Sequence, residues 1–408
     1  MKAIEICQDL YWVGAVDWAL RDFHGYATEQ GSTYNAFLIR GKEHTVLVDT
    51  VKVEHASSLL ESIREVLDPA TIDIVVSNHA EMDHSGALPA ILEACAPKQL
   101  VCSADGKKTL LAHFHRADWP FVEVGEDSTL DLGGRTLQFM PSKMLHWPDS
   151  MVSYLVEERL LFSNDIFGQH LASSARYDDE VAAGELNWQA AKYFANIFWP
   201  TAPAMKKFLT RLDDRGWQPR ILAPDHGVLW RADVEGIRAR YRGWSEGVAQ
   251  PKAVIIFDTM WDSTAQMARA VARGLDGPGV ELKVFDLRKN HRSDVVADLL
   301  EARAVVLGSP VFNTGLLPGM NDLLSYLKGL KPRGKIGASF GSYGWADTGV
   351  RQLNAALEEM KVELVSPGVS AQYRPTEDVL ERCLALGQTV RQSVLASRQS
   401  GSGDKNNG

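Results

Sequence analysis

The run His79–His84 (His-Ala-Glu-Met-Asp-His) constrains this chain most strongly, because four of its six residues can bind a metal ion. The run closely follows Ile72–Val76, an apolar segment that has the composition of a buried strand. A strand that ends in a loop of alternating ligands predicts a metal site at a sheet edge. Two imidazoles and two carboxylates, without a thiolate, suit iron or manganese better than structural zinc.

The composition narrows the class of protein. The chain has 408 residues, of which 45% are hydrophobic and 23% charged, as is ordinary for a globular protein of two or three domains. The net charge of −9 argues against nucleic acid as a partner. No apolar run reaches the roughly 20 residues that a membrane span needs. Residues 1–7 lack the apolar core of a signal peptide, so we expect a cytoplasmic protein without a membrane partner.

Four cysteines are scattered along the chain, and no two of them have Cys-x-x-Cys spacing. A rubredoxin-type iron centre and a zinc ribbon both need such pairs, so neither can be built from this chain. We therefore expect Cys7, Cys95, Cys102 and Cys383 to be reduced structural thiols.

Residues 1–250 contain short apolar strands in two sets. One set precedes the His79–His84 run and the other lies within residues 129–163, while 56–66 and 181–212 have helical composition. Each strand-rich half is thus accompanied by helices. This organisation predicts an α/β protein whose first domain is a two-sheet sandwich.

Residues 251–397 have a different pattern, in which five strands alternate with five helices. Such alternation is typical of a doubly wound parallel sheet. The segment Ala249–Pro251 fits a short linker between the two domains. We expect the polar, glycine-rich residues 398–408 to form a disordered tail.

Three further candidate ligands, His146, Asp165 and His226, follow strand-like segments downstream. Each stands beside turn residues where a strand would end. Strand ends at one edge of a sandwich can converge on one cavity and hold a site rigidly. A single His or Asp in such a place is usually structural, but the joint pattern predicts a metal cage.

The whole pattern resembles the flavodiiron (A-type flavoprotein) form of the metallo-β-lactamase fold, most of all its rubredoxin-dependent oxygen reductases. Hydrolases of that fold normally have His where this chain has Glu81, and an anionic, harder ligand there suits a redox-active ferric iron. The resemblance covers nearly the whole chain and implies an αββα sandwich for the first domain. The segments that carry it, besides the ligands, are Arg21–Tyr26, His84–Pro89, His146–Met151 and Asn164–Gly168.

The resemblance implies a ligand set for two irons. One iron would be bound by His79, Glu81 and His146, the other by Asp83 and His226, with Asp165 as the bridge. In most members the histidine matching His84 also binds the second iron, but it can swing away and be replaced by water. The sequence is compatible with both roles of His84. Bound metal requires neutral imidazoles and ionised carboxylates, so we expect affinity to fall in acid.

Other residues near these motifs have open roles. Trp147 either walls the cavity or packs in the core. Tyr193 is either a hydrogen-bond or proton donor near the irons or a packed helix residue. His24 either lies near the pocket or is structural. His113 and His115 alternate as residues of a strand or loop do, and we expect them not to bind metal.

The second domain carries three loops that suit a flavin. Residues 259–264 link a strand to a helix, where hydroxyls and free N–H groups can cradle a phosphate, although helix capping also explains such a segment. Nucleotide triphosphate and dinucleotide signatures are absent from the sequence. Residues 310–315 and 342–345 combine glycine with aromatic rings, as suits a flat ring system.

This half resembles flavodoxin, which implies FMN at the carboxyl ends of the strands. The phosphate would be held by Thr259, Met260, Trp261, Asp262, Ser263 and Thr264. The isoalloxazine ring would be held by Pro310, Val311, Phe312, Asn313, Thr314 and Gly315 and by Ser342, Tyr343, Gly344 and Trp345.

The two halves together imply one reaction. Two ferrous ions and one reduced FMN hold four electrons, enough to reduce O2 to water or two pairs of NO to N2O. The resemblance implies rubredoxin as external electron donor, and a head-to-tail homodimer or dimer of dimers that brings FMN to the irons of another subunit. The alternatives are a zinc hydrolase with a flavodoxin-like appendage and a metal-free electron carrier. The sequence does not decide between O2 and NO.

Overall fold

The computed structural model describes residues 2–400, with side chains for residues 2–397. The chain divides into two units between Arg242 and Gly243. This division falls inside the helix Val234–Glu246, a little before the predicted linker, and the predicted domain bounds stay a prediction. The predicted tail, 398–408, extends beyond the described residues. Among the helices of the described part, none is long and apolar enough to cross a membrane.

The first sheet of the N-terminal unit has seven strands. The strands before residue 49 pair antiparallel, and the later ones pair parallel because helices connect them. In sheet order the strands are Ile4–Cys7, Leu10–Trp12, Phe37–Arg40, Thr45–Val48, Ile74–Val76, Gln99–Ser103 and Phe121–Val124.

The second sheet has five strands, and its last pair is parallel. In sheet order they are Thr129–Asp131, Thr136–Pro141, Met151–Leu155, Leu160–Asn164 and Ile221–Pro224. Two small hairpins pair Ala15–Asp17 with Ser32–Tyr34 and Asp22–Phe23 with Tyr26–Ala27.

Helices cover this pair of sheets. The α-helices are Ala56–Val66, Met82–Ser85, Leu88–Cys95, Ala104–Phe114, Ala183–Tyr193, Ala202–Asp214 and Val234–Glu246. Single turns of 3₁₀ or π geometry lie at Val53–His55, Pro69–Thr71, Asp178–Glu180, Phe194–Phe198 and Trp199–Thr201. The predicted helical stretch 181–212 is thus interrupted, because Pro200 and Pro203 have no N–H group to continue a helical ladder.

Alternating side chains build the sandwich. In Thr45–Val48, Leu47 packs with the helix residues Leu59 and Ile91 in one core, whereas Val46 packs in a second core with Phe162 of the other sheet. Successive residues of a strand point to opposite faces, so the first sheet has helices on one face and the second sheet on the other. The predicted two-sheet sandwich is confirmed.

The C-terminal unit is a parallel sheet, as predicted. Its strands in sheet order are Glu281–Asp286, Gln250–Phe257, Ala302–Gly308 and Ile336–Tyr343, followed at the edge by Glu363–Leu364 and Val369–Gln372. The helices are Ser263–Leu275, Arg292–Leu300, Pro318–Leu330, Gly349–Glu359 and Glu377–Ser400, and a hairpin pairs Val311–Phe312 with Gly315–Leu316. This strand order is that of flavodoxin-like sheets. The sequence reading missed Val369–Gln372, because Pro367 and Gly368 interrupt the edge strand.

Candidate metal centre and ligand cavity

The predicted metal ligands all lie at the ends of strands in the sandwich. His79 and Glu81 follow Ile74–Val76, and the short helix Met82–Ser85 carries the next two ligands. The others stand in the loop before Met151–Leu155 and directly after Leu160–Asn164 and Ile221–Pro224. These strand ends converge, so residues up to 147 positions apart in sequence (79 to 226) come together in two groups.

The first group consists of His79, Glu81, His146 and Asp165. The Nε2 atoms of His79 and His146 lie 3.3 and 3.1 Å from Glu81 Oε2. The same two atoms lie 3.5 and 3.4 Å from Asp165 Oδ2. An ion about 2.1 Å from its ligands separates neighbouring ligands by about 3.0–3.4 Å at octahedral or tetrahedral angles. The group therefore fits one metal ion.

The second group consists of Asp83, His84 and His226. Asp83 Oδ2 lies 3.4 Å from His84 Nε2 and 3.2 Å from His226 Nε2. Asp165 Oδ1 completes the group, at 3.3 and 3.5 Å from the same two nitrogens. His84 therefore points its Nε2 atom at this group rather than away from it.

Asp165 joins the two groups, because its Oδ2 faces one and its Oδ1 faces the other. Several buried atoms here have no hydrogen-bond partner among the described residues, namely Asp83 Oδ1 and Oδ2, His84 Nε2 and Asp165 Oδ2. Buried polar atoms without partners are costly unless a cation or proton compensates them. The donor set and the bridging carboxylate thus fit a two-metal centre, and the assignment of each ligand stays a prediction.

Groups behind the imidazoles hold their orientation. His79 Nδ1 donates to Asp149 Oδ2 over 2.9 Å, and His226 Nδ1 donates to the Thr33 carbonyl over 2.7 Å. Such contacts leave Nε2 free to face a metal. Sequence reasoning missed the role of Asp149, whose only signal was its place in the segment His146–Met151. It also missed Asp225, next to His226, whose Oδ2 lies 3.6 Å from His84 Nδ1.

The carboxylates create a strongly negative field at both groups. Burial alone lowers the pKa of His79, but hydrogen bonds to Asp149 and Glu81 raise it to about 10. Burial opposes the charge of Glu81 as well, yet the bonds from His146 and His79 lower its pKa to about 2. The nearby histidines hold the pKa of Asp165 well below its usual range, although burial acts to raise it. Such a field attracts a cation.

Solvent reaches the two groups unequally. The side chains of His146 and Glu81 are 21% and 13% exposed, whereas that of His84 is 1% exposed. The exposed His24 lies at the open side, with Nε2 3.8 Å from Glu81 Oε1. The first group is therefore the one that faces the entrance of the site.

Aromatic side chains line the buried surroundings. Tyr193 donates a 2.9 Å hydrogen bond to Asp165 Oδ1, so this residue touches the bridging carboxylate. The Trp147 ring meets the His79 ring edge-on, with centroids 5.3 Å apart. His113 stacks on Trp147 and lies in the helix Ala104–Phe114, so its expected strand or loop conformation was wrong. His115 follows that helix directly. Neither residue belongs to the two ligand groups.

The C-terminal unit contains a cavity of about 400 Å³ at the carboxyl ends of its strands. All three predicted loops contribute to it. The lining consists of Thr259, Met260, Trp261, Ser263, Pro310, Val311, Phe312, Asn313, Thr314, Ser342, Tyr343, Gly344, Trp345, Ala346 and Tyr373. Ala346 and Tyr373 are additions that the sequence pattern did not indicate, because neither lies in a glycine-rich strand-end loop named from the sequence.

Three predicted flavin residues are absent from this lining. Asp262 instead accepts a 2.9 Å hydrogen bond from Arg269 of the helix that follows it. Thr264 lies behind the wall, where its hydroxyl is 3.0 Å from that of Ser342. Gly315 pairs with Phe312 in the hairpin. The cavity nonetheless combines a helix N-terminus with flat aromatic walls, as a phosphate and a planar ring require.

The fold and the two sites define a protein with a binuclear metal centre on a β-lactamase-like sandwich and a ligand cavity on a flavodoxin-like sheet. Family models agree. Residues 33–227 match the ODP family beta lactamase, and residues 255–387 match flavodoxin.

Known proteins resemble the chain over nearly its whole length. It is 42% identical to a nitric oxide reductase of Moorella thermoacetica, over 95% of this chain and 98% of that protein. A solved structure of rubredoxin oxygen:oxidoreductase from Desulfovibrio gigas is 40% identical, with a TM-score of 0.95 over 97% of this chain and 99% of that one. The flavodiiron protein of Giardia intestinalis is 31% identical, with a TM-score of 0.95 over 98% of both chains. The chain belongs to the flavodiiron protein family.

Proposed function

We propose that this protein is a diiron–FMN oxidoreductase that reduces O2 to water, NO to N2O, or both, with electrons from rubredoxin. The observation that carries the proposal is the bridging position of Asp165 between two groups of hard N and O ligands. A hydrolase could also use two metals. The anionic Glu81 and the flavodoxin-like domain favour redox chemistry.

Each of the two ligand groups would bind one iron. His79, Glu81 and His146 would hold one iron, while the second would be held by Asp83, His84 and His226, and Asp165 would bridge the pair. The cavity loops of the C-terminal unit would hold FMN. When bound, two ferrous ions and reduced FMN supply the four electrons that O2 needs to become two waters, or that two pairs of NO need to become N2O.

The surrounding side chains prepare this chemistry. Asp149 and the Thr33 carbonyl orient the imidazoles of His79 and His226. Burial and the charge of Asp165 hold the pKa of Tyr193 well above its usual range. The Tyr193 hydroxyl therefore stays protonated while it donates a hydrogen bond to Asp165. The second group is buried from water, whereas His146 and Glu81 are partly exposed, so we expect a small gas to enter beside these two side chains.

Metal and flavin analysis with rapid kinetics tests the function. We expect two irons and one FMN per chain after anaerobic purification. After reduction by rubredoxin, the enzyme should be oxidised by O2 or NO on the time scale of stopped-flow mixing. NADH without rubredoxin should give little turnover. Zinc with hydrolase activity would support the alternative hydrolase, and a flavin spectrum without metal would support the electron carrier. Comparing the two gases in stopped flow decides the preferred substrate.

Rubredoxin as donor follows from the relatives rather than from a site in this chain. The D. gigas protein carries rubredoxin in its name, and this chain has no Cys-x-x-Cys pair with which to build an iron–thiolate centre of its own. The cytoplasmic location stays a prediction from the sequence.

We further propose the head-to-tail dimer. Exposed apolar side chains stand beside the metal ligands, including Met82, which is 43% exposed within the ligand run, and Met144 two residues before His146. Exposed rings also rim the cavity of the other unit, with Trp261 and Trp345 86% and 87% exposed. Apolar patches of this kind favour a covering partner, and a twofold arrangement could cover one with the other.

Complementation between two inactive variants tests the dimer. Asp165→Ala removes the metal bridge, and Ser263→Glu places a negative charge at the helix N-terminus in the cavity, where it would repel a phosphate. In a head-to-tail dimer, co-expressed chains should recover about a quarter of wild-type activity, because half the dimers are mixed and each has one intact pair of sites. No recovery, with mixed dimers isolated by two tags, would contradict electron transfer between subunits.

A further inference from the structure

Asp225 is a buried carboxylate that the metal groups do not use. It follows the strand Ile221–Pro224 and is fully buried. Neither of its side-chain oxygens accepts a hydrogen bond from a described residue. Its backbone is held firmly, because its N–H donates to the Asn164 carbonyl over 2.9 Å and its carbonyl accepts from Asn35 N–H over 2.7 Å.

The group that faces the Asp225 carboxylate and could carry a compensating N–H or positive charge is the imidazole of His84. Asp225 Oδ2 lies 3.6 Å from His84 Nδ1, which also has no hydrogen-bond partner among the described residues. On the opposite edge of the ring, Nε2 faces Asp83 and Asp165. The His84 backbone is itself fixed, since its N–H donates to the Glu81 carbonyl over 3.0 Å. Only rotation of the side chain could therefore remove Nε2 from the metal group.

The other two fully buried histidines of the metal groups show that a polar group contacts the Nδ1 atom behind each metal-facing ring. His79 is backed by Asp149 at 2.9 Å, and His226 by the Thr33 carbonyl at 2.7 Å. A histidine ligand commonly donates its second N–H to a carboxylate or carbonyl, which sets both its tautomer and its ring orientation. Asp225 occupies the corresponding place behind His84.

We propose that Asp225 is the positioning residue of His84: its carboxyl group, 3.6 Å from Nδ1, attracts that edge of the imidazole and keeps Nε2 directed at the second metal. The inference rests on the proposed diiron site and deepens it, because it names the group that orients His84 toward the second iron. Asp49 does not compete for this role, since both of its oxygens accept bonds from Asn78 at 2.7 Å.

The test is iron-edge X-ray absorption of the purified, iron-loaded enzyme and its variants. The four clustered histidines correspond to an average of two imidazoles per iron. His84→Ala should lower the average to one and a half, and Asp225→Ala should give the same value. The double variant should match His84→Ala alone, because the two residues act as one unit. Asp225→Asn keeps an acceptor oxygen and should restore much of the wild-type spectrum.

A chelator challenge gives a second readout. Asp225→Ala should weaken retention of one iron about 10- to 100-fold, as expected for loss of a group behind a ligand. Asp178→Ala is the matched control, because Asp178 is a buried carboxylate of the same unit that binds the backbone N–H of Asp233 instead. It should leave the imidazole count unchanged even if it lowers stability.

The outcomes separate this inference from the proposed function. Wild-type protein with two irons and an Asp225→Ala variant with an unchanged imidazole count would overturn the role of Asp225 alone. Additive losses in the double variant would also overturn it, since they would mean that Asp225 acts on the fold generally. Wild-type protein that binds no iron pair would instead contradict the proposed function.

Discussion

In the N-terminal unit most of the candidate metal ligands are buried polar side chains, whereas in the C-terminal unit the candidate flavin cavity is rimmed by exposed rings. Asp83 and His84 are 4% and 2% exposed, but Trp261 and Trp345 are 86% and 87% exposed. Buried charges depend on one another, because each compensates the desolvation of its neighbours. Each exposed ring, in contrast, contributes its own contact energy to ligand binding, independently of the other ring. We therefore expect all-or-none effects at the metal centre and graded effects at the cavity.

The largest effect should come from Asp165→Ala. Removing the bridge takes one ligand from each metal group, so we expect both irons to be lost and activity to fall by about three orders of magnitude or more. FMN content should stay at the wild-type level. Iron and flavin assays on the same samples check this, with Asp178→Ala as the control. Retention of a full iron pair would show that the two groups are independent and that the metal centre is not all-or-none.

A smaller effect should follow from Trp261→Ala. Loss of one aromatic wall should weaken FMN binding about tenfold, and Trp261→Ala with Trp345→Ala about a hundredfold, because rings on separate loops contribute independently. Fluorescence titration of flavin-free protein measures both constants. Trp18→Ala is the control, as an exposed tryptophan of the other unit. Complete loss of binding in the single variant would make the cavity as cooperative as the metal centre.

Tyr193→Phe should lower the activity by less than the loss of the metal bridge does. It removes one hydrogen bond to Asp165 Oδ1 without removing a ligand. A bond to a charged acceptor contributes about 1.5–3 kcal/mol, partly recovered by relaxation, so we expect turnover to fall about tenfold. Iron content should be unchanged. Steady-state rates with metal analysis check the prediction, and a variant that loses iron would place Tyr193 among the groups that hold the metal.

The smallest expected effect is on the pH dependence of stability, and it comes from Lys335, a buried amine of the C-terminal unit that lies in neither site. Burial and the neighbouring Arg303 lower the pKa of Lys335 to about 7. Between pH 7 and the pKa of an unfolded lysine, about 10.4, the unfolded chain binds a proton that the folded chain lacks. Stability should therefore rise with pH, by about 1.4 kcal/mol per unit at most. Lys335→Met should flatten this slope in urea unfolding at several pH values, and an unchanged slope would contradict the shift.

Sequence patterns predicted much of the fold. In Gln250–Phe257 and Ser263–Leu275, the apolar period changes from that of a buried strand to that of a helix, and the structure follows it closely. The interpretation was wrong at His113, because two histidines spaced by two residues look like a strand. The helix there begins at a cap, where Ser103 Oγ accepts from Gly106 N–H over 2.9 Å.

The sequence by itself determined which donors are present, the alternation that builds the parallel sheet, and the absence of a Cys-x-x-Cys pair. These are local properties, set by residue type and spacing. Only the tertiary structure decided that Asp165 turns one oxygen to each metal group, that His84 faces the second group, and that Asp225 stands behind it. These relations join strand ends that are far apart in sequence. They arise from packing two sheets face to face, which no local pattern encodes.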